Sequence, residues 1–279
     1  MNELFHYSDR MVNIHYKRDS QPSPSDFKMH THESYELFYF AGGNGIYRVE
    51  GTPYPLEKGD ILILRPAEAH YIDLNGSVPY TRLTINFKPE LLKEIDPEGK
   101  LLLPFDKREA GTLNRYPAEA FPSNAAEIFI SRILERSPDQ RLHTLAYLPP
   151  LLYEIYHSFQ NLDESKTEHP LDYRIVRYVN YHVSEDLSLA HLCDKFFISE
   201  SQLCRTFKNA VGSTVWEYIT VKRLVNARKL ILSGIPPTKA YLRCGFKDYS
   251  AFYRAYRKKY GDSPSRLSPA HPDPVRKEE

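Results

Sequence analysis

The strongest constraint on this chain is a surface written twice. Residues 199–212, SESQLCRTFKNAVG, and residues 248–261, DYSAFYRAYRKKYG, superpose at an offset of 49 positions. Ser201 then meets Ser250, Arg205 meets Arg254, Lys208 meets Arg257, Leu203 meets Phe252, Phe207 meets Tyr256 and Gly212 meets Gly261. In the first copy Leu203, Phe207 and Ala210 recur at steps that align on one face of a helix, with Ser201, Arg205 and Lys208 on the other. The second copy repeats the division, with Phe252 and Tyr256 inward and Ser250, Arg254 and Arg257 outward. Ser199 with Gln202 fits a capping box, Asp248 caps the second copy, and Gly212 suits the left-handed residue that ends a helix. Each copy follows a shorter helical segment and a tight connection, LAHLCDKFFI before the first and KAYLRCGFK before the second. That is a helix-turn-helix pattern, made twice.

The outward side chains suit a polyanion. Arginine donates two parallel hydrogen bonds to guanine O6 and N7, and a small hydroxyl nearby lets the backbone approach the base edges. Lysine and a second arginine suit phosphates, which position without specifying sequence. The candidate DNA-contacting set is therefore Ser201, Gln202, Arg205 and Lys208, with Tyr249, Ser250, Arg254 and Arg257. A single basic face is as readily plain solvated surface; two in phase, each capped and each preceded by a positioning helix, are harder to dismiss. The segment between them, TVWEYITVKRLVNARKLIL, is long enough to hold both at a fixed separation. Major grooves on one face of B-DNA recur every ~34 Å, so a rigid pair would read two successive turns.

The charge distribution points the same way. The whole chain of 279 residues is nearly neutral at +1, yet residues 171–268 hold 17 Lys and Arg against 8 Asp and Glu. Residues 1–170 hold 18 against 25, so a basic third follows an acidic body. No stretch approaches the ~20 apolar residues of a membrane span, and MNELFHYSDR lacks the apolar core of a signal peptide. Cys193, Cys204 and Cys244 match no zinc or redox spacing and read as small apolar core residues in a reducing cytoplasm.

The front half has a different texture. From Tyr35 to Phe87 short runs rich in β-branched and aromatic residues (YELFYFA, GIYRVEG, ILILRP, YTRLTINF) are punctuated by turns at Gly42-Gly43-Asn44-Gly45 and Lys58-Gly59-Asp60. Many short strands at close spacing predict a sandwich or barrel. Residues 88–124 give no clear pattern. Helices are expected near Ala125–Arg136 and Arg141–Gln160, the second kinked or split at Pro149-Pro150. Its stripe of Leu145, Leu148, Leu152, Ile155 and Phe159 is either domain core or a dimer contact. Polar Asn161–Pro170 reads as a linker, and beyond it the helical pattern runs to about residue 268.

The segment Leu187–Pro264 resembles the DNA-binding domain of the AraC/XylS family of bacterial transcription regulators. The motifs that carry the resemblance are the Ser-x-x-x-Leu-x-x-x-Phe-Lys run, the Arg-Leu-x-x-Ala-x-x-Leu run from Arg223, and the Gly-Phe-x-Asp-x-Ser-x-Phe run from Gly245. It implies base reading from Ser201, Arg205, Ser250 and Arg254. One departure stands out: Tyr241, after Pro236-Pro237, occupies a place the family usually gives to a small residue. Residues 28–90 are similar to the cupin-type sensor domains of the same family, through YELFYFAGGNGIYRVEG, PLEKGDILILRPAEAH and TRLTINFKPELL.

Within that region His30-Thr-His32-Glu-Ser-Tyr-Glu36 has the His-x-His-x-x-x-Glu spacing of a metal-binding cupin, and His70 follows. Alternate strand residues share a face, so His30 and His32 would point together, and imidazole with carboxylate suits zinc, iron or manganese. The second metal motif fits only in part, because Asn75 stands one residue beyond its usual place. The resemblance instead implies a pocket for a sugar or other small effector, without an obligatory cofactor. Three readings stay open: effector pocket, divalent metal site, or histidines with structural roles. Tyr39, Tyr47, Arg48 and Arg82 complete the candidate effector set.

The expected molecule is a two-domain α+β protein. A cupin-like β-barrel with a helical dimerisation region (1–160) and a linker (161–170) precede an all-α pair of helix-turn-helix units joined by a long helix (171–268), with a tail at 269–279. Its expected role is that of a cytoplasmic transcription regulator and not an enzyme, homodimeric, contacting RNA polymerase if an activator, with duplex DNA and a small effector as partners and no membrane. The rivals are a metal-dependent cupin enzyme with a helical appendage and a sequence-independent architectural DNA-binding protein.

Overall fold

The computed structural model describes residues 2–23, 27–74, 78–161 and 170–267. Asn75, most of the expected linker and the expected tail lie outside the described residues. The chain forms two compact units, Met1–His169 and Pro170–Glu279.

The first unit carries β1 (Asn2–Ser8), β2 (Val12–Asp19), β3 (Tyr35–Gly42), β4 (Gly45–Val49), β5 (Thr52–Pro55), β6 (Ile61–Leu64), β7 (His70–Leu74) and β8 (Tyr80–Phe87). The short helix α1 (Leu103–Asp106), the two-residue strand β9 (Arg115–Tyr116), α2 (Ala125–Ile133) and α3 (Gln140–Gln160) follow. The strands pair antiparallel as a larger sheet, β1-β2-β8-β3-β6-β9, and a smaller one, β5-β4-β7. Among the described residues the expected barrel takes the form of two facing antiparallel sheets with no closed hydrogen-bonded ring. Pro53 and Pro55 in β5 lack the amides that a further ladder would need, which keeps that strand an edge. His30 and His70 exchange backbone bonds of 3.1 and 3.0 Å in an isolated bridge beside β7.

Alternation decides what each face of β3 does. Phe38 and Phe40 join Leu62, Leu64, Tyr47, Val49, Ile72 and Leu74 in the core between the sheets. Leu37 and Tyr39 point the other way, into a second core with Ile130, Ile133, Leu148, Leu152 and Ile155 from α2 and α3. The helical stripe thus belongs to its own domain: Leu148, Leu152 and Ile155 are fully buried and Leu145 and Phe159 pack against them. The helix is not split at Pro149-Pro150. Burial of Leu148, Leu151 and Leu152 around the prolines outweighs the missing backbone donors.

The second unit is all helix: α4 (Leu171–Tyr181), α5 (Leu189–Phe196), α6 (Glu200–Val211), α7 (Val215–Leu232), α8 (Pro237–Arg243) and α9 (Tyr249–Tyr260). The Phe207 ring packs on Tyr218 of α7 at 5.4 Å. Further along the same helix Leu224, Ala227 and Ile231 share a core with Ala240, Cys244, Phe252 and Tyr256. One helix therefore anchors both helix-turn-helix units. Of the cysteines expected in the core, Cys244 is buried, but Cys193 is only half-buried and Cys204 is exposed on α6. It lies beside the buried stripe of Leu203 and Phe207 without belonging to it.

Candidate functional site

The C-terminal face is built from its caps outward. The Ser199 hydroxyl accepts from the Gln202 amide at 3.2 Å and starts α6; Gly212, at φ 73°, ends it. Asp248 accepts from the amides of Ser250 and Ala251 at 3.1 and 2.7 Å and starts α9; Gly261, also at φ 73°, ends it. The two-sided capping box expected at Ser199 forms instead at Thr214 and Glu217 of α7, and the Gln202 side chain stays exposed. Between equivalent caps, Leu203 and Phe207, then Phe252 and Tyr256, are fully buried. Ser201, Arg205, Lys208, Ser250, Arg254 and Arg257 are all exposed, and Tyr249 is half-buried.

Contacts at the loops tie the two helix-turn-helix halves of this domain together. Arg223 of α7 donates to the carbonyls of Val183 and Glu185, both at 2.7 Å, in the connection between α4 and α5. Lys247, in the turn before α9, pairs with Asp186 at 2.8 Å. Gly245 in that turn, at φ +85°, lies against the Ser184 carbonyl. Residues 183–186 thus form a saddle on which the second turn rests. Tyr241 is accommodated: its ring packs edge-on to Tyr249 at 5.3 Å and alongside Phe252 at 6.1 Å. Pro236 caps α8 and Pro237 opens it, positions where proline's missing donor costs nothing.

In the N-terminal unit the candidate effector residues separate into three groups. His32, Glu36 and His70 converge, with a donor atom from each lying within 4.8 Å of the others. His32 Nε2 stands 2.8 Å from Glu36 Oε2, though without the alignment of a hydrogen bond. Asn86 Nδ2 donates to the same oxygen at 2.8 Å, and the Tyr47 hydroxyl lies 3.5 Å from Oε1. The Tyr47 ring lies nearly parallel to His70 at 5.9 Å. His30 is exposed and stands edge-on to His70 at 4.3 Å. Tyr39 faces the helices, and Arg48, alternating with buried Tyr47 and Val49, faces away from the inter-sheet core. Arg82 shares the Asn86 face of β8 but lies four residues, about 13 Å, along it, over the rings of Phe27 and Tyr80.

The electrostatics of the cluster follow its burial. Burial would raise the Glu36 carboxyl, but His32 and Asn86 together hold it below the usual carboxylate range. Burial lowers and Glu36 raises His32, and the carboxylate wins. Burial, with repulsion from His30, pushes His70 down to about 3, so its imidazole is neutral. The set can accept or donate hydrogen bonds to a polar ligand, or hold a cation. Sequence reasoning missed Asn86, although its alternation with Thr84 and Arg82 in TRLTINF puts it on the inward face. It also missed the buried pair of Arg108 and Glu68, whose partners are forty residues apart and leave no periodic signal.

Two cationic helices in one helical unit and a polar cluster inside a β-sandwich define a DNA-binding protein with a small-molecule sensor domain. Residues 19–129 match the profile of an AraC-like ligand binding domain, and residues 192–268 that of a helix-turn-helix domain. The chain belongs to the AraC family of transcription regulators and is a DNA-binding regulator. It is 25% identical over 259 residues, covering 89% of this chain and 92% of the other, to RhaS of Yersinia pestis strain Pestoides F, named as an HTH-type transcriptional activator. LumQ of Photobacterium leiognathi, named a probable transcriptional regulator, is 34% identical over 40% of this chain and 46% of its own. Among solved structures, ToxT of Vibrio cholerae aligns over 92% of this chain and 97% of its own at 11% identity and a TM-score of 0.41. Among the described residues no helix is long and apolar enough to cross a membrane.

Proposed function

We propose that this chain is a cytoplasmic transcription activator that reads two successive major grooves with α6 and α9. In this reading Arg205 and Arg254 pair with guanine edges, Ser201, Gln202 and Ser250 line the close approach, and Lys208, Tyr249 and Arg257 hold phosphates. The observation that carries it is the equivalent exposure of Arg205 and Arg254, each four residues beyond an exposed serine's helix turn and opposite a fully buried aromatic. Activation follows the name of the RhaS relatives, which are called transcriptional activators; in this reading an activator of this kind would contact RNA polymerase.

The effector site in this reading is the cluster of His32, Glu36, Tyr47, His70 and Asn86. Carboxylate, imidazole, phenol and amide groups beside aromatic rings suit a hydroxyl-rich ligand such as a sugar. The ligand acts by linkage: it shifts the protein towards DNA-competent geometry only as far as it prefers that state, on a scale of about 1–3 kcal/mol. A homodimer would use the outward side of α3, where Leu142 and Tyr153 stay exposed, since the buried stripe is already taken. The domain scheme is a sensor over 1–160, a linker over 161–170 and a DNA-binding domain over 171–268.

Selection from random duplexes by the full chain tests the reading. Two blocks of preferred bases one helical turn apart are expected; an unselective pool would overturn it and favour an architectural protein.

A further inference from the structure

The inner face of the larger sheet changes character halfway across. On β3 it carries Phe38 and Phe40, which belong to the core that the smaller sheet covers. On β8 and β2 the strand register continues that face as three cross-strand pairs: Asn86 beside Asn13, Thr84 beside His15 and Arg82 beside Lys17. All six side chains are polar and half-buried. The interior of a sandwich normally stays apolar across its sheets, because a polar group withdrawn from water needs a partner. A polar trough therefore runs along β2 and β8, from Asn86 at the Glu36 cluster to Arg82.

Two features of the trough call for a ligand. Lys17 and Arg82 stand directly opposite one another, and like charges so placed repel. The Arg82 guanidinium is held over the rings of Phe27 and Tyr80, at 5.3 and 5.1 Å from their centres. Lys17 Nζ has Glu3 Oε1 at 3.5 Å, but that oxygen already meets His15 Nδ1 at 2.9 Å. An anion set between the two cations would turn their repulsion into binding. At the other end Asn13 Oδ1 is buried with no donor, where a buried acceptor is normally paired. Its neighbour Asn86 gives its amide to Glu36 at 2.8 Å, so a ligand hydroxyl is the donor that Asn13 lacks. Tyr47 connects the two ends: burial and Glu36 raise its hydroxyl while Arg82 lowers it, so it lies within electrostatic reach of both charges.

We propose that the effector is a polyhydroxylated organic anion, a sugar acid or sugar phosphate, whose anionic group lies between Arg82 and Lys17. Its hydroxyls reach Asn13, Thr84 and Asn86. A planar guanidinium matches the paired oxygens of a carboxylate or phosphate, and the ammonium adds a point charge on the opposite side. A neutral sugar in the same place would take water from both cations and return no charge, so the trough selects against it. The inference rests on the effector reading above and names the chemical class of that ligand.

The test dialyses the full chain against a mixed panel of hexuronates, hexonates, hexose phosphates and pentose phosphates together with the neutral hexoses and pentoses. Retained compounds are identified by mass spectrometry and titrated by calorimetry. At least one anionic member should be retained, about tenfold or more tighter than its neutral parent. A retained uronate or hexonate makes the recognised group a carboxylate and a retained phosphate makes it a phosphoryl group; either outcome supports the proposal. Arg82→Gln should weaken that compound roughly 10–100-fold and Lys17→Gln about tenfold, with the neutral parent unaffected. Arg18→Gln, which removes an exposed cation one residue along β2 on the other face, should change neither. If Arg82→Gln fails to fold, Lys17→Gln and the wild-type preference decide. Retention of neutral sugars alone, weakened by Glu36→Gln but not by Arg82→Gln, would overturn the anion and leave the effector reading standing. Retention of nothing would overturn both, while duplex selection tests the DNA-reading surface independently.

Discussion

Gly245 rests so closely on Ser184 that a Cβ added to it would stand 2.6 Å from the serine carbonyl oxygen. The glycine also holds φ at +85°, where a side chain is strained whatever the space. This contact, with Arg223 and Lys247 on the same segment, joins the turn of the second helix-turn-helix to the foot of the first. Gly245→Ala is therefore expected to destabilise the C-terminal unit by about 1–3 kcal/mol, read by chemical denaturation. It should also cost operator affinity without removing any DNA-facing side chain; wild-type stability would show that the contact carries no strain.

In the sensor domain the Arg108 guanidinium meets the Glu68 carboxylate with both side chains essentially buried and two contacts of 2.6 Å. Burial would raise Glu68, but Arg108 holds it below the ordinary range. Arg108→Met takes the nearer cation from that buried carboxylate, leaving Arg65 at 3.7 Å, and should cost about 3–5 kcal/mol. Adding Glu68→Leu should make matters no worse, and a double-mutant cycle by urea denaturation measures the coupling. Additive losses would contradict the ion-pair account.

Acid should loosen the two reading helices unequally. The Ser199 cap of α6 does not titrate, whereas the Asp248 cap of α9 is lowered by the amides of Ala251 and Ser250. A carboxylate whose folded pKa lies below its ordinary value of 3.8 contributes fully above that value. The contribution is lost as the pH falls through the folded pKa. Amide hydrogen exchange between pH 5 and pH 2.5 should show α9 losing protection before α6, and Asp248→Asn should flatten the difference. Equal loss in both helices would contradict it.

What was legible in the sequence was whatever repeats at a helical or strand period. Leu203 with Phe207, and Phe252 with Tyr256, announced their buried faces because nothing else competes for those positions. The β1–β2 hairpin went unseen because an edge pair carrying Glu3, His6, His15 and Lys17 lacks the apolar alternation of a covered strand. His32, Glu36 and His70 were readable as a spacing, and Tyr47 joined them. Tyr39 and Arg48 did not, because strand parity sends each to the opposite face, and parity is legible only once the register is known. The saddle at 183–186 was invisible for another reason: Arg223 meets Val183 across 40 positions, and no local pattern encodes that. Tyr241, which departs from the family's small residue, is compensated by Tyr249 and Phe252 stacking around it.

The account turns on α6 and α9 each reading its own stretch of one duplex. Binding of wild type, Arg205→Ala and Arg254→Ala to a selected operator and its single-base variants tests this most directly. Each substitution should cost about 1–3 kcal/mol and relax preference at a base pair in its own subsite, the two subsites lying about one turn apart. Wild-type affinity and base preference in both variants, or relaxation of the same base pair by both, would contradict it.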